Sequence, residues 1–449
     1  MLADPDFIPF EPPAKSTLRA VLRSFIESFP RAAYERPVTH LKSFIAETLL
    51  ICDPDLIHEV LVARADVFGR NVMTRRTFEP VLGKTSLFLA EGADWRWQRR
   101  AAASAFRHET LLSFVPVFAD MAQRQVARWR DAPKDQPVDV ATGMTRTTFD
   151  IIVETMLGGQ ANLDGERYGR ALTDVFESAP WQTILAILGA PAWLPFPGRR
   201  RLLQARDYVH REAGRIVAQR RAQAAARPDL LELMLAARDP ETGRAMTDAD
   251  LATNLLTFIS AGHETSAVAL AWSLWLLAKD QEAQTRVREE AQAVCGDGEV
   301  AAAQVERLAF TRQVLQEAMR LYPPAAALVR QAVTDTTLGG YRVTPRTHIN
   351  VPTYALHRHR LHWEHPDAFD ADRFAPDRVK ARSRYVYLPF GGGPRICIGA
   401  NFAMIESAVI LATLVRAFRF CPVPGHKPHP VARVTIRPRG GMPLFIEPR

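Results

Sequence analysis

Cysteine is scarce in this chain. Cys52, Cys295, Cys397 and Cys421 are the four present, with no C-x-x-C pair and no short-range spacing that suggests a disulfide framework. A reducing, cytoplasmic setting is expected. The start of the sequence has neither the basic residues nor the apolar run of a signal peptide; it carries Asp4, Asp6, Glu11 and several prolines, so no export signal or N-terminal anchor is expected. No Gly/Ser linker, internal repeat or low-complexity segment divides the 449 residues, although length alone would suggest about two or three domains. A long basic tail with interleaved aromatics is also missing. The excess of 57 Lys+Arg over 49 Asp+Glu, +8 in all, is scattered arginine, which argues against nucleic-acid binding.

What is present is the composition of a large buried core, with 47% hydrophobic and 24% charged residues. Helical periodicity runs through most of the sequence, and strand-like runs are short, clustering near 43–52, 328–333 and 414–446. The fold class expected is mainly α with small β-sheets. A strand over 44–52 should end at Asp53-Pro54, an N-cap and first-turn proline that start a helix. The longest periodic stretch, 247–280, opens with Thr247 and Asp250 at capping-box spacing. Its apolar part, 255–278, is long enough to raise the alternative of a membrane span, but Gly262, His263, Glu264, Thr265 and Ser266 interrupt it with ionisable and polar groups. A helix through the centre of a soluble core fits better. The stretches 189–201 and 352–387 read as a loop and an irregular meander.

The most specific local feature is Phe390-Gly-Gly-Gly-Pro-Arg-Ile-Cys-Ile-Gly399, followed by an apolar helical run from Ala400 to Phe418. Glycines let the backbone fold tightly against a flat ligand, and Arg395 offers a cation for a carboxylate. Cys397 at a helix start would have its thiolate stabilised by the positive end of the helix dipole. A thiolate that donates electron density to haem iron is one use of such a cysteine; a nucleophile with a partner histidine is another. A phosphate loop is excluded, because no Lys-Ser/Thr follows the glycines. Cys52, Cys295 and Cys421 read as packing.

Phe390, Gly391, Gly393, Arg395, Cys397 and Gly399 match every fixed position of the haem-binding signature of the cytochrome P-450 family, which the chain therefore resembles. The resemblance implies a single haem domain over 1–449, with a small-sheet region at about 1–70, a helical core at about 90–420 and a long central helix over the haem. It makes Cys397 the ligand to iron, pairs Arg395 with a haem propionate and packs Phe390 beside the sulfur. Glu317 and Arg320, three apart on one helical face, followed by Tyr322-Pro323-Pro324 and by Ala371-Asp372-Arg373-Phe374, resemble the family's proximal charge network. The last motif departs from it in having Ala371-Asp372 where Pro-Glu is commoner. Ala261-Gly262-His263-Glu264-Thr265 resembles the oxygen-activation motif: Gly262 would allow close approach and local helix distortion, and Glu264 and Thr265 form an acid–alcohol pair for proton supply. A mid-helix threonine bonding back to the preceding turn is the plainer alternative for Thr265. Trp95 and Arg99, at helical spacing, and Arg330 resemble further propionate contacts.

The function implied is a haem b (iron protoporphyrin IX) monooxygenase that hydroxylates a hydrophobic organic substrate. A haem-thiolate peroxygenase or rearrangement enzyme is the alternative, with a haem sensor or carrier behind it. Apolar stretches at 71–89, 181–196 and 325–328, with Phe258 and Ala261, are the candidate pocket walls, which suits a fatty acid, terpenoid or steroid. The 181–196 run reads as a buried lid rather than a membrane contact. No flavin or iron–sulfur motif follows Ala400, so electrons should come from a separate ferredoxin or flavodoxin, docking on Arg96, Arg99, Arg100 and Arg107. His357, His359, His362 and His365 have metal-like spacing, but they fall where the family has structural histidines, and no zinc is expected.

Overall fold

The strongest start signals in the sequence are used in the computed structural model, which describes residues 23–42, 47–133, 135–158, 163–191, 193–223 and 229–449. The acidic start, the first three residues of the strand expected over 44–52, and residue 192 of the 189–201 loop lie outside the described residues. The Asp53 carboxylate accepts from the Asp55 and Leu56 N–H groups and opens the helix Pro54–His58. Thr247 and Asp250 cap each other reciprocally at the head of Asp248–Lys279. At ~1.5 Å per residue this central helix runs roughly 50 Å.

The central helix is packed on nearly every side, and most of its residues are buried. Trp272 stacks on Tyr322 at 3.7 Å between ring centroids and donates its Nε1–H to the Ile436 carbonyl at 2.9 Å, so its burial leaves no orphan donor. Helices Val140–Leu157 and Arg199–Ala222 flank it, and Ala309–Leu321 and Ala400–Ala417 complete the core around it. Among the described residues, Ala400–Ala417 is the helix long and apolar enough to cross a bilayer, and 67% of it is buried in the fold.

Strands are short, and they position the site. The largest sheet runs Val38–Lys42, Glu47–Ile51, Thr347–Val351, Leu328–Ala332 and Phe68–Arg70 in spatial order. Glu47–Ile51 pairs with Thr347–Val351 in parallel, and the other neighbours are antiparallel. Its last ladder sets Arg70 directly opposite Arg330. The expected 414–446 cluster starts later, since 414–417 still belong to the helix Ala400–Ala417; Phe418–Pro422 then pairs with Pro443–Pro448, and a small hairpin joins Pro430–Ala432 to Ile436–Pro438. A cluster of β-branched and aromatic residues cannot by itself locate where a preceding apolar helix ends.

Candidate active site

The loop before Cys397 is held by its backbone. The Cys397 N–H donates to the Phe390 carbonyl at 2.9 Å, closing the loop, and Ile396 donates to Gly393 across a short 3-10 turn, Gly393–Arg395. Gly391 and Gly393 have φ of 76° and 68°. A Cβ on Gly393 would lie 1.8 Å from the Leu61 carbonyl oxygen, so glycine is required there on both counts. Phe390 is half-buried, and Cys397 keeps an exposed face.

The helix after the loop starts at Ala400 with Gly399 as its cap, so Cys397 stands before the helix rather than in its first turn. The expected depression of the thiol is overturned accordingly. Burial among protein atoms pushes Cys397 up, and the Gly399 N–H and the Arg99 guanidinium pull the other way. An open face on a residue otherwise surrounded by protein is what a metal-ligating sulfur needs.

Around this loop guanidinium groups gather in excess of carboxylates. Arg395 lies over the Trp95 ring at 4.5 Å and donates to the Ala90 carbonyl, leaving its buried Nη1 without a partner. Arg330, opposite Arg70 on the sheet, is pushed down to about 10 by burial and by Arg395. Arg70 is lowered further by burial and by both of these neighbours, and its Nε is buried and unpaired. The acid at this cluster is Glu91, which accepts the Arg70 N–H at 2.7 Å and is shared with Arg75. Arg70, Arg75, Arg330 and Arg395 thus share one carboxylate, and buried cations are costly until anions answer them.

The central-helix residues diverge. Ala261 is exposed and Thr265 half-exposed on an otherwise buried helix, and the Thr265 hydroxyl donates back to the Ala261 carbonyl at 2.7 Å. Glu264 points elsewhere: its Oε1 accepts from Arg437 Nε at 2.7 Å and Nη2 at 2.6 Å and from Thr435, while Oε2 is buried without a partner. A hollow of about 1030 Å³ lies on that side, with His263, Glu264 and Arg437 in its wall facing Asp164, Arg170 and Glu177. The helix runs through Gly262 without a break, and the missing side chain there admits Ile152 of Val140–Leu157, whose Cδ1 would lie 2.9 Å from a Cβ.

A model of the cytochrome P450 family matches residues 28–443. The chain belongs to the cytochrome P450 family. The fold superposes on the crystal structure of the cytochrome P450DA heme domain with a TM-score of 0.82, at 25% identity over 92% of this chain and 90% of that one. Cyclooctatin synthase of Streptomyces melanosporofaciens is 33% identical over 89% of this chain and 86% of its own length. Cyclooctat-9-en-7-ol 5-monooxygenase of the same organism is 30% identical over 89% and 86%. Cytochrome P450 4A10 of Mus musculus is 30% identical over 94% of this chain and 85% of its own. This P450 is a monooxygenase that works with haem iron.

Haem carries two carboxylates and needs one protein ligand to iron, and the residues of this P450 fit both demands. The arginine excess at Arg70, Arg330 and Arg395 suits two propionates, and Cys397 offers sulfur on its open face. Arg99, half-buried, acts on Cys397 from the helix Gly92–Ala103, and Trp95 of the same helix backs Arg395. Arg70 and Glu91 escaped the sequence reading; a three-residue strand, Phe68–Arg70, has too little periodicity to show which way its arginine points. Arg70→Ala is expected to speed haem transfer to apomyoglobin several-fold while leaving the haem-free fold at least as stable, since one of several crowded cations is gone. Unchanged haem loss would remove Arg70 from the site.

The proximal charge network assembles fully. Glu317 accepts from Arg320 Nε at 2.6 Å and Nη2 at 2.7 Å and from the Asp370 N–H at 2.9 Å, with Arg373 3.4 Å away. Arg320 also donates to the carbonyls of His357, Pro366 and Ala368. Burial and Arg320 push His357 down to about 3, so its ring is neutral and Nε2 accepts from the Leu388 N–H. His359 and His362 bond to the Arg36 and Cys52 carbonyls.

Pocket walls at 71–89 and 181–196 meet where Thr77 and Thr183 approach to 3.4 Å, and Phe106 packs on Phe258 at 5.3 Å. The buried lid expected over 181–196 is buried only in part. Gln182 and Ile184 are buried, whereas Trp181, Leu188 and Trp193 are exposed, Trp193 by 70%: the helix Gly165–Ile187 turns Trp181 outward and ends before Leu188 and Trp193.

Proposed function

We propose that this P450 hydroxylates a hydrophobic organic substrate, with Cys397 ligating the iron of haem b in a single haem domain. The observation that carries the reading is the exposed Cys397 sulfur on a loop that only glycines can form, beside an uncompensated arginine cluster. When bound, the haem supplies an iron that activates dioxygen, with thiolate electron density favouring O–O cleavage. Arg330, Arg395 and Arg70 hold its carboxylates, and Trp95 fixes the plane of Arg395.

Proton supply falls to Glu264 and Thr265. Oε1 of Glu264 is saturated by Thr435 and Arg437, so Oε2 is the oxygen that can take up and pass on a proton. Arg437, 44% exposed at the edge of the hollow, makes that side the entry from solvent. The Thr265 hydroxyl, bonded to Ala261, still has lone pairs with which to hold a water on the open face of the helix. The mostly apolar lining at Phe78, Phe88, Phe106 and Phe258 supports a lipophilic substrate. The cysteines are free, which supports a reducing, cytoplasmic setting.

The test is spectral and then chemical. The reduced carbon monoxide complex should show the long-wavelength Soret band of a thiolate ligand. Thr265→Ala should then lower product formed per electron consumed by about 10-fold with haem still bound. Unchanged coupling would favour the peroxide-using or rearranging alternative, which needs no proton path.

Electron delivery uses the basic surface around Gly92–Ala103, but not all the arginines expected there. Arg100 is committed to Asp239 at 2.6 and 2.9 Å and to Glu241 at 3.1 Å, leaving exposed Arg96 and Arg107 for an acidic ferredoxin or flavodoxin. Arg96→Glu with Arg107→Glu should slow reduction several-fold and flatten its salt dependence, as stopped-flow traces at two ionic strengths would show. Equal traces for variant and native chain would move the docking site elsewhere.

A further inference from the structure

The connection 83–91, between the helices Val72–Leu82 and Gly92–Ala103, is neither helix nor strand, yet Ser86, Leu87, Leu89 and Ala90 are buried. A chain that runs inside a fold without a ladder needs other partners for its backbone polar groups. Two side-chain amides supply them. Gln98 Nε2 donates to the Thr85 carbonyl at 2.8 Å, and the Leu87 N–H donates to Asn254 Oδ1 at 2.7 Å. Asn254 Nδ2 in turn donates to Gln98 Oε1 at 2.9 Å, which joins Gly92–Ala103 to the central helix. Both side chains are buried, and the backbone fixes how each is turned. Reversed, Asn254 would set Nδ2 against the Leu87 N–H, and Gln98 would set Oε1 against the Thr85 carbonyl.

The contact is close as well as polar. Gly83, with φ of 75°, lies against the central helix, where a Cβ would come 2.8 Å from Thr253 Cγ2. Asn254 is seven residues before Ala261 and so shares its face about two turns away, which makes the connection the closed end of the face that opens at Ala261. The later residues of the connection hold the arginine cluster. The Ala90 carbonyl accepts from Arg395 Nη2 at 2.9 Å, and Glu91 accepts the Arg70 N–H and pairs with Arg75. Between them, Phe88 has Arg70 over its ring at 4.4 Å and the Phe78 ring at 5.1 Å.

We propose that Gln98 and Asn254 are positioning residues, an amide bridge that sets the connection 83–91, and through it Arg395 and Arg70, at a fixed place relative to the open face of the central helix. This rests on the proposed haem site, in which those arginines hold the carboxylates. The bridge acts as a unit. Losing the Asn254 amide orphans the Leu87 N–H and leaves Gln98 with the Thr85 carbonyl alone, whereas losing the Gln98 amide leaves the bond between Asn254 and Leu87 in place. The two losses are therefore unequal, and together they are less than their sum.

The experiment compares the haem-loaded native chain with Asn254→Leu, Gln98→Met and the double variant. The thiolate Soret band of the native chain is recorded first, so that failure of the haem reading is seen apart from failure of the bridge. Leucine and methionine nearly keep the volumes of the amides they replace. The measurements are the exchange rate of the Leu87 amide hydrogen, by mass spectrometry of short peptides, and the rate of haem transfer to apomyoglobin. Leu277→Ala, a core truncation near the other end of the central helix, shows what plain loss of stability does to both. Asn254→Leu should raise both rates about 10-fold and Gln98→Met a few-fold, with the double variant no faster than Asn254→Leu. Leu277→Ala should unfold at lower denaturant with both rates near native. Native haem transfer in Asn254→Leu, equal acceleration by Leu277→Ala, or additive effects in the double variant would each overturn the proposal. If Asn254→Leu does not fold, Gln98→Met decides it: both rates must rise for the bridge to stand.

Discussion

Serine in place of Cys397 is expected to abolish product formation and remove the long-wavelength Soret band of the reduced carbon monoxide complex, while the chain still folds. The fold survives because the loop is set by backbone: the residue 397 N–H to Phe390 carbonyl bond and the positive φ of Gly391 and Gly393 are indifferent to the side chain. Cys397 also has an open face, so the swap leaves no core cavity. What changes is the donor. A serine hydroxyl stays protonated near neutrality, and oxygen is a harder, poorer donor to iron than a thiolate. Circular dichroism and the carbon monoxide spectrum together check this, and a serine variant with native turnover would end the assignment of Cys397.

The largest expected loss of stability comes from Glu317→Ala. Glu317 and Arg320 are both fully buried, with Arg373 nearly so, and the carboxylate is what neutralises the two arginines. Removing it strands those charges and the Asp370 N–H, a change that costs about 3–5 kcal/mol. A domain has about 5–15 kcal/mol in total, so the variant should unfold at markedly lower denaturant and lose haem early in the transition. Glu317→Gln, which keeps the acceptor oxygen, should lose less. Equal unfolding midpoints for native and alanine chains would mean that the network contributes little.

Both expectations start from features legible in the sequence. The cysteine loop could be read because its glycines are local requirements: a positive φ, or a Cβ 1.8 Å from Leu61 oxygen, is decided within a few residues. Glu317 and Arg320 could be read because helical spacing puts them on one face. The central helix announced itself through its capping box. What the sequence did not carry is direction and distance. Glu264 and Thr265 are neighbours in the chain, yet the step of about 100° between consecutive helical residues sends them to different sides, and the partner of Glu264, Arg437, comes from a hairpin far along the chain. Arg70 gains its meaning only from a ladder with Arg330. The dipole-stabilised thiolate expected at Cys397 failed because its helix begins three residues later, at Ala400.

That ladder also dictates an order of assembly. Phe68–Arg70 pairs with Leu328–Ala332, and Glu47–Ile51, beyond its pairing with Val38–Lys42, with Thr347–Val351, so the sheet bearing two of the arginines must close loops of hundreds of residues. Such closures are slow and come late, after helices with local contacts have formed. During synthesis, the helical core can therefore gather before any complete grip for a dianion exists, and haem capture becomes a closing step of folding rather than its nucleus.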